Sequence, residues 1–134
     1  MTGAMEWISN FLYAAMLAGV PLLYGTLGEI LTEKAGNVNL GVEGMMYMGA
    51  VFGFMGAYYL DSAAAALLFA FLGGLGGALV YAFLTVTLKA NQNVAGLTLT
   101  IFGTGLANLL GTNMVNASGS GAAMVSDSIK AIFR

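Results

Sequence analysis

Charged residues are scarce in this chain of 134 residues: four are Lys or Arg and six are Asp or Glu, which is 7% of the total. A soluble domain carries about 25% charged residues. Because 59% of the residues are hydrophobic, so few charges cannot cover the surface of a soluble globule. The scattered basic residues exclude a nucleic-acid footprint, and the formal net charge of -2 indicates no particular partner.

Cysteine and histidine are absent, and proline occurs once. The chain therefore cannot form disulfides, thiolate nucleophiles, imidazole metal sites or His-based acid–base pairs. It has no Gly-x-x-x-x-Gly-Lys-Ser/Thr phosphate loop, so it does not hydrolyse nucleotides by that route. We predict no catalytic residues, no metal site and no cofactor, and we do not expect an enzyme.

Long apolar runs dominate what remains. Runs of eighteen or more apolar residues are typical of membrane-spanning helices. The sequence therefore predicts an all-α, polytopic membrane protein with about four transmembrane helices. We expect one membrane domain over residues 1–134, with helices at about 7–31, 44–60, 63–88 and 94–111 and a mixed Gly/Ser/Asn-rich tail at 112–134.

Proline and glycine mark bends and close contacts within these runs. Pro21 lies inside the first run and should kink that helix, since it frees a carbonyl one turn earlier; a structural kink is favoured over a gating hinge. Small residues recur at four-residue spacing, which lets membrane helices pack closely. These residues are Gly49, Gly53 and Ala57 in the second run, Gly73 and Gly77 in the third, and Gly103, Ala107 and Gly111 in the fourth.

Two polar segments interrupt the runs, at residues 32–44 and 91–93. Irregular backbone beside hydrocarbon leaves polar groups unpaired, so the first segment must lie in water or be buried in protein. Its glycines Gly36, Gly41 and Gly44 suggest a helix break. Amide side chains suit hydroxyl-rich or heterocyclic solutes, and transporters use broken helices at solute sites. The candidates for lining a solute pathway are Asn37, Asn39, Glu43, Asn91, Gln92 and Asn93.

A simpler role for the same residues is helix capping and turn formation at the interface. Asn37 or Asn39 would then cap the second helix, and Glu43 would lie near its N-terminus, where the helix dipole favours a negative charge. Both interpretations stay open at this stage.

Two blocks of sequence resemble a known family. Residues 27–46, LGEILTEKAGNVNLGVEGMM, with Met48-Gly49-Ala50, and residues 84–97, LTVTLKANQNVAGL, resemble permease subunits of ABC importers. The chain is most similar to the nucleoside and simple-sugar permeases, which are related to the ribose and branched-chain amino-acid permeases. The resemblance covers the N-terminal part of that family's length.

The resemblance implies a membrane-spanning component of an ATP-driven importer for nucleosides or simple sugars, in the cell (inner) membrane. It also implies a second permease subunit, separate ATPase subunits and an extracytoplasmic solute-binding protein. The alternative is a stand-alone small membrane protein that forms oligomers through its glycine stripes and has a structural or pore-forming role.

Overall fold

The computed structural model describes residues 2–118 and 124–132, and every regular element in these ranges is helical. This confirms the predicted all-α class. The elements are α1 (Thr2–Lys34), α2 (Val42–Leu60), α3 (Ala63–Ala82) with a π-helical turn (Phe83–Thr87), α4 (Gln92–Ala117) and the short α5 (Asp127–Ile132).

Three helical segments are long and apolar enough to cross a membrane. They are Gly3–Lys34, Ala63–Thr87 and Gln92–Ala117. The remaining long helix, α2, has 19 residues and carries Glu43 in its first turn. The chain is therefore a multi-pass membrane protein, in agreement with the prediction of about four spanning helices.

The first of two compact units ends at Asn37 and consists of α1. This helix runs through Pro21 and extends beyond the predicted residues 7–31. It ends at Lys34, and Gly36 just beyond it has a φ of +86°, which is accessible to glycine without a steric penalty. The Gly36 N–H donates to the Glu33 carbonyl at 2.9 Å and the Asn37 N–H to the Thr32 carbonyl at 3.0 Å, which is a Schellman motif.

The second unit begins at Val38, and α2 and α3 form an antiparallel hairpin within it. Small residues bring the two backbones together along the hairpin. A Cβ added to Gly53 would lie 2.9 Å from the Ala70 Cβ, and one added to Gly73 would lie 2.9 Å from the Met48 carbonyl oxygen. The tight turn consists of Asp61, at a φ of 46°, and Ser62, which caps α3.

The connection from α3 to α4 is less regular than the single run predicted over residues 63–88. The α-helix ends at Ala82 and becomes a π-helical turn, after which Lys89 reverses the chain at a φ of 50°. Asn91 then caps α4, since its Oδ1 accepts the N–H groups of Asn93 at 3.0 Å and Val94 at 3.3 Å. The helix continues to Ala117 and so includes part of the predicted tail.

The N-terminal end of α2 crosses α4 at a pair of glycines. A Cβ on Gly44 would lie 2.6 Å from the Thr100 Cα, and one on Gly103 would lie 2.7 Å from the Gly44 carbonyl carbon. A small core of buried side chains lies beside this crossing: Tyr81, Ala95 and Leu99, with Met45 and Leu84 packed against it. At the other end of α2, the Ser126 hydroxyl donates to the Asp61 carboxylate.

Candidate functional site

The backbone between the two units' helices is non-helical, and residues 38–41, which we call the break segment, lie directly on α4. Gly96 makes this contact possible, because a Cβ added there would lie 2.9 Å from the backbone nitrogens of both Leu40 and Gly41. The side-chain position of Gly96 therefore has room for a hydrogen atom but not for a methyl group. The break segment is therefore packed against a membrane-spanning helix of its own unit.

The N–H and the carbonyl of Val38 both form hydrogen bonds with side chains from distant parts of the chain. The Val38 N–H donates to Gln92 Oε1 at 2.9 Å, and the Tyr81 hydroxyl donates to the Val38 carbonyl at 2.6 Å. Tyr81 belongs to α3 and is buried, whereas Gln92 is the first residue of α4. These two side chains fix the start of the break segment relative to both helices.

Further hydrogen bonds hold the rest of the break segment. The Thr100 hydroxyl donates to the Leu40 carbonyl at 2.9 Å. Asn39 is buried, and its Oδ1 accepts the Gly41 N–H at 2.9 Å while its amide contacts the Met45 sulfur at 3.7 Å. The groups that hold this backbone are uncharged amides and hydroxyls.

This hydrogen bonding has a consequence for a membrane protein. Non-helical backbone at membrane depth is tolerated only where protein or a water-filled cavity surrounds it, since unpaired peptide groups in hydrocarbon cost several kcal/mol each. The side chains described above are hydrogen-bonded to the N–H and the carbonyl of Val38. They are also bonded to the Leu40 carbonyl and the Gly41 N–H. Protein groups therefore supply partners for much of this irregular backbone, as that condition requires.

The six candidate pathway residues have different surroundings. Asn39 and Gln92 come together on the break segment, and Asn91 caps α4 nearby. Glu43, Asn91 and Asn93 are exposed. The Asn37 Oδ1 is buried and lacks a hydrogen-bond partner among the residues that the structure describes.

The capping hypothesis is wrong for Asn37 and Asn39, which do not cap α2, whereas Asn91 caps α4 and Glu43 lies at the start of α2. The N-cap of α2 is Gly41, and no side chain caps this helix. Asn39 bonds instead to the backbone two residues ahead, as asparagine does in turns, so its oxygen does not reach the first turn of the helix. Glu43 does lie in that first turn.

Comparison with known proteins defines the family. The model of the permease component of branched-chain amino acid transport systems matches residues 8–133. The chain belongs to this permease family. The match confirms the resemblance that the sequence blocks at 27–50 and 84–97 suggested.

Two relatives of this permease chain are themselves ABC transporter permeases by name. A Haloferax volcanii protein, provisionally named as a glucose ABC transporter permease, is 39% identical over 122 residues, covering 87% of the chain and 36% of the relative. A guanosine ABC transporter permease of Bacillus subtilis is 30% identical over 107 residues, covering 75% and 34%. The chain thus spans about a third of the length of these curated relatives. The comparison with solved structures gave no match.

Sequence reasoning missed three residues that hold the break segment in this permease chain. Tyr81 and Thr100 lie inside apolar runs, where their hydroxyls gave no periodic signal. Gly96 lies outside the four-residue glycine spacing of the fourth run. Its distance of seven residues from Gly103, or two helical turns, is the pattern that could have identified the face of α4 that contacts the break segment.

Proposed function

We propose that this chain is the membrane-spanning permease component of an ATP-driven importer for nucleosides or simple sugars and forms part of the solute pathway. Membership of the permease family over residues 8–133 supports this proposal. The names of the two relatives, which refer to glucose and guanosine transporters, support the choice of solute class.

The break segment is the structural observation that carries the proposal. Transporters place non-helical backbone between helical segments at solute sites near the middle of the membrane, and the break segment is non-helical backbone that precedes α2. The proposed pathway residues are those near this interruption: Asn37, Asn39, Glu43, Asn91, Gln92 and Asn93. Of these, Glu43, Asn91 and Asn93 are exposed, and Asn91 already caps α4.

The proposed assembly contains separate ATPase subunits, a second permease subunit and an extracytoplasmic solute-binding protein. ATP hydrolysis is assigned to other subunits because the sequence has no phosphate-binding loop of the Walker type. The relatives are likewise named as permease proteins.

Purification from native membranes tests this assembly. We expect the tagged chain, extracted from its native host in mild detergent, to retain an ABC ATPase, which mass spectrometry would identify. An unrelated tagged polytopic protein extracted in parallel is the control for non-specific capture. Recovery of the chain without any ATPase, under conditions that keep a known ABC transporter intact, would contradict the proposal.

The same purification distinguishes the alternative of a stand-alone oligomer with a structural or pore-forming role. That alternative predicts a complex that contains copies of this chain alone. The structure offers it little support, because Gly49, Gly53, Gly73 and Gly77 already pack between α2 and α3. These glycines are therefore occupied within one chain.

A further inference from the structure

The connection from α3 to α4 holds two uncommon backbone conformations within a short stretch. In the π-helical turn at Phe83–Thr87, the Leu88 N–H donates to the Phe83 carbonyl, five residues earlier, at 3.0 Å. Lys89 then adopts a φ of 50°, which is strained for a residue with a long side chain. We call residues 83–91 the connecting segment. Conformations of both kinds are concentrated at functional sites and switch regions.

The sequence explains why the α-helix is interrupted at this point. Thr85, Val86 and Thr87 are consecutive β-branched residues, whose restricted χ1 angles lower their helix propensity. Thr85 is buried, and its hydroxyl donates to the Tyr81 carbonyl at 2.9 Å. A hydroxyl bonded to the preceding turn in this way often bends a helix. The π-helical turn therefore has a local cause and is directly bonded to Tyr81.

The two side chains that hold Val38 lie on opposite sides of the connecting segment. Tyr81 precedes the segment and binds the Val38 carbonyl, whereas Gln92 follows it and binds the Val38 N–H. A return of the π-helical turn to α-helical geometry would shift the residues after it by roughly 100° and 1.5 Å. The close contact of Gly103 with Gly44 holds the body of α4 in place, so the connecting segment and Gln92 must absorb the shift. The two hydrogen bonds to Val38 cannot both survive it, since donor–acceptor distances vary by only about 0.5 Å.

The turn at the other end of the α2–α3 hairpin lacks this combination. Asp61 also has a positive φ, of 46°, but aspartate adopts such a φ more readily than most residues. The α-helix begins there in regular geometry, with Ser62 as its N-cap. A positive φ alone therefore does not distinguish the connecting segment. The distinguishing features are the π-helical turn beside it and the bonds to Val38 on both sides.

We infer that the connecting segment is a hinge whose opening releases the start of the break segment. In the closed state, Val38 is bonded on both sides and Lys89 keeps its strained conformation. Opening returns Lys89 and the π-helical turn to more favourable backbone conformations and separates Val38 from Gln92. The break segment carries the proposed solute pathway, so the assignment of this hinge to transport rests on the proposed function.

Substitutions at Lys89 test the hinge through hydrogen–deuterium exchange of the full chain extracted in mild detergent. The Lys89 side chain is exposed and makes no hydrogen bond or ion pair among the residues that the structure describes, so substitutions there act through the backbone. Lys89→Gly favours the closed state, since glycine adopts a positive φ without strain. Lys89→Val disfavours it, since a β-branched residue rarely adopts a positive φ.

Amide exchange in the break segment, residues 38–41, is the decisive measurement. We expect it to be about threefold slower in Lys89→Gly and about tenfold faster in Lys89→Val, in proportion to the strain removed or added. Exchange in the middle of the α2–α3 hairpin should stay unchanged, because the hinge does not open that contact.

The matched control is Asp61→Val, which places the same residue at the positive φ of the opposite turn. It should leave exchange in residues 38–41 unchanged. Equal acceleration by Asp61→Val, or no response to either Lys89 substitution, would overturn the hinge. If Lys89→Val does not fold, Lys89→Gly decides alone: slower exchange in residues 38–41 supports the hinge, and unchanged or faster exchange overturns it.

Uptake measurements separate the hinge from the proposed function. If deletion of the chain leaves solute uptake intact while the Lys89 variants change exchange as expected, the importer assignment fails and the hinge stands. If deletion abolishes uptake while exchange does not respond, the importer assignment stands and the hinge fails. Where both hold, Lys89→Gly should lower uptake about threefold, in line with its exchange, and unchanged uptake would overturn the role of the hinge in transport.

Discussion

Val38 is held in this protein through its backbone, while its side chain remains 41% exposed. The side chains that hold it are not near it in sequence: the Tyr81 hydroxyl comes from 43 residues away and the Gln92 amide from 54. The polarity of residues 32–44 could be predicted to interrupt the helices, because amides and charges stand out between apolar runs. The side chains that bond to Val38 could not be predicted, because a single tyrosine in an apolar run is equally expected from core packing or from a membrane interface.

The Tyr81 hydroxyl provides a test at this scale. Replacing Tyr81 with Phe keeps the ring and leaves the Val38 carbonyl without its donor. We expect the detergent-solubilised protein to lose about 1 kcal/mol of stability, since hydrogen bonds inside membrane proteins contribute about 0.6–1.7 kcal/mol. Thermal unfolding followed by circular dichroism measures this loss.

The matched control for that substitution is Tyr59→Phe on α2, because the Tyr59 side chain is 63% exposed. It should leave the unfolding temperature unchanged. Equal effects of the two substitutions would show that the hydroxyl of Tyr81 does not hold the break segment.

Glycine spacing illustrates what could be predicted for the helices. The four-residue repeats of α2 and α3 predict close packing, and Gly49, Gly53, Gly73 and Gly77 all lie at their contact. The same rule fails for part of α4, where a Cβ on Gly111 would meet nothing within 4 Å. The rule fails because spacing identifies a face capable of close contact, while the neighbour of that face is determined by the tertiary arrangement.

Helix ends were also only partly predictable. The end of α1 beside Gly36 could be predicted, because glycine readily adopts the backbone conformation needed there. The start of α4 at Asn91 lies in a segment that the sequence already showed to be polar. The π-helical turn at Phe83–Thr87 was not anticipated, because an apolar run looks the same whether its hydrogen bonds span four or five residues.

Two glycines of α4 allow a matched experiment on the contact between α2 and α4. Alanine at Gly103 would place a methyl group against the Gly44 backbone, whereas alanine at Gly105 would meet nothing within 4 Å. We expect Gly103→Ala to destabilise the protein by about 1–3 kcal/mol through overpacking. Gly105→Ala should be neutral or stabilise it by up to about 1 kcal/mol, since alanine is favoured over glycine in a helix.

Thermal unfolding in detergent compares the two variants under identical conditions. Because they differ only in position on the same helix, intrinsic helix propensity cancels in the comparison. A Gly105→Ala variant that is as unstable as Gly103→Ala would argue against the close crossing of α2 and α4.

Considered as a whole, the molecule was most predictable where its composition is most extreme. The shortage of charge predicts the membrane, and the two motif blocks predict the permease family. Composition could not show which polar residues serve the fold. Asn39, Asn91 and Gln92 bond to backbone groups, and these bonds depend on a tertiary arrangement that composition does not specify.

Solute uptake by intact cells tests the importer assignment most directly. Rates of accumulation of radiolabelled guanosine and glucose are compared in the native host, in a strain that lacks this chain and in the same strain with the chain restored. We expect uptake of at least one solute to fall to background without the chain and to recover when it is restored. Unchanged uptake of both solutes, together with unchanged uptake of other nucleosides and simple sugars, would contradict the assignment.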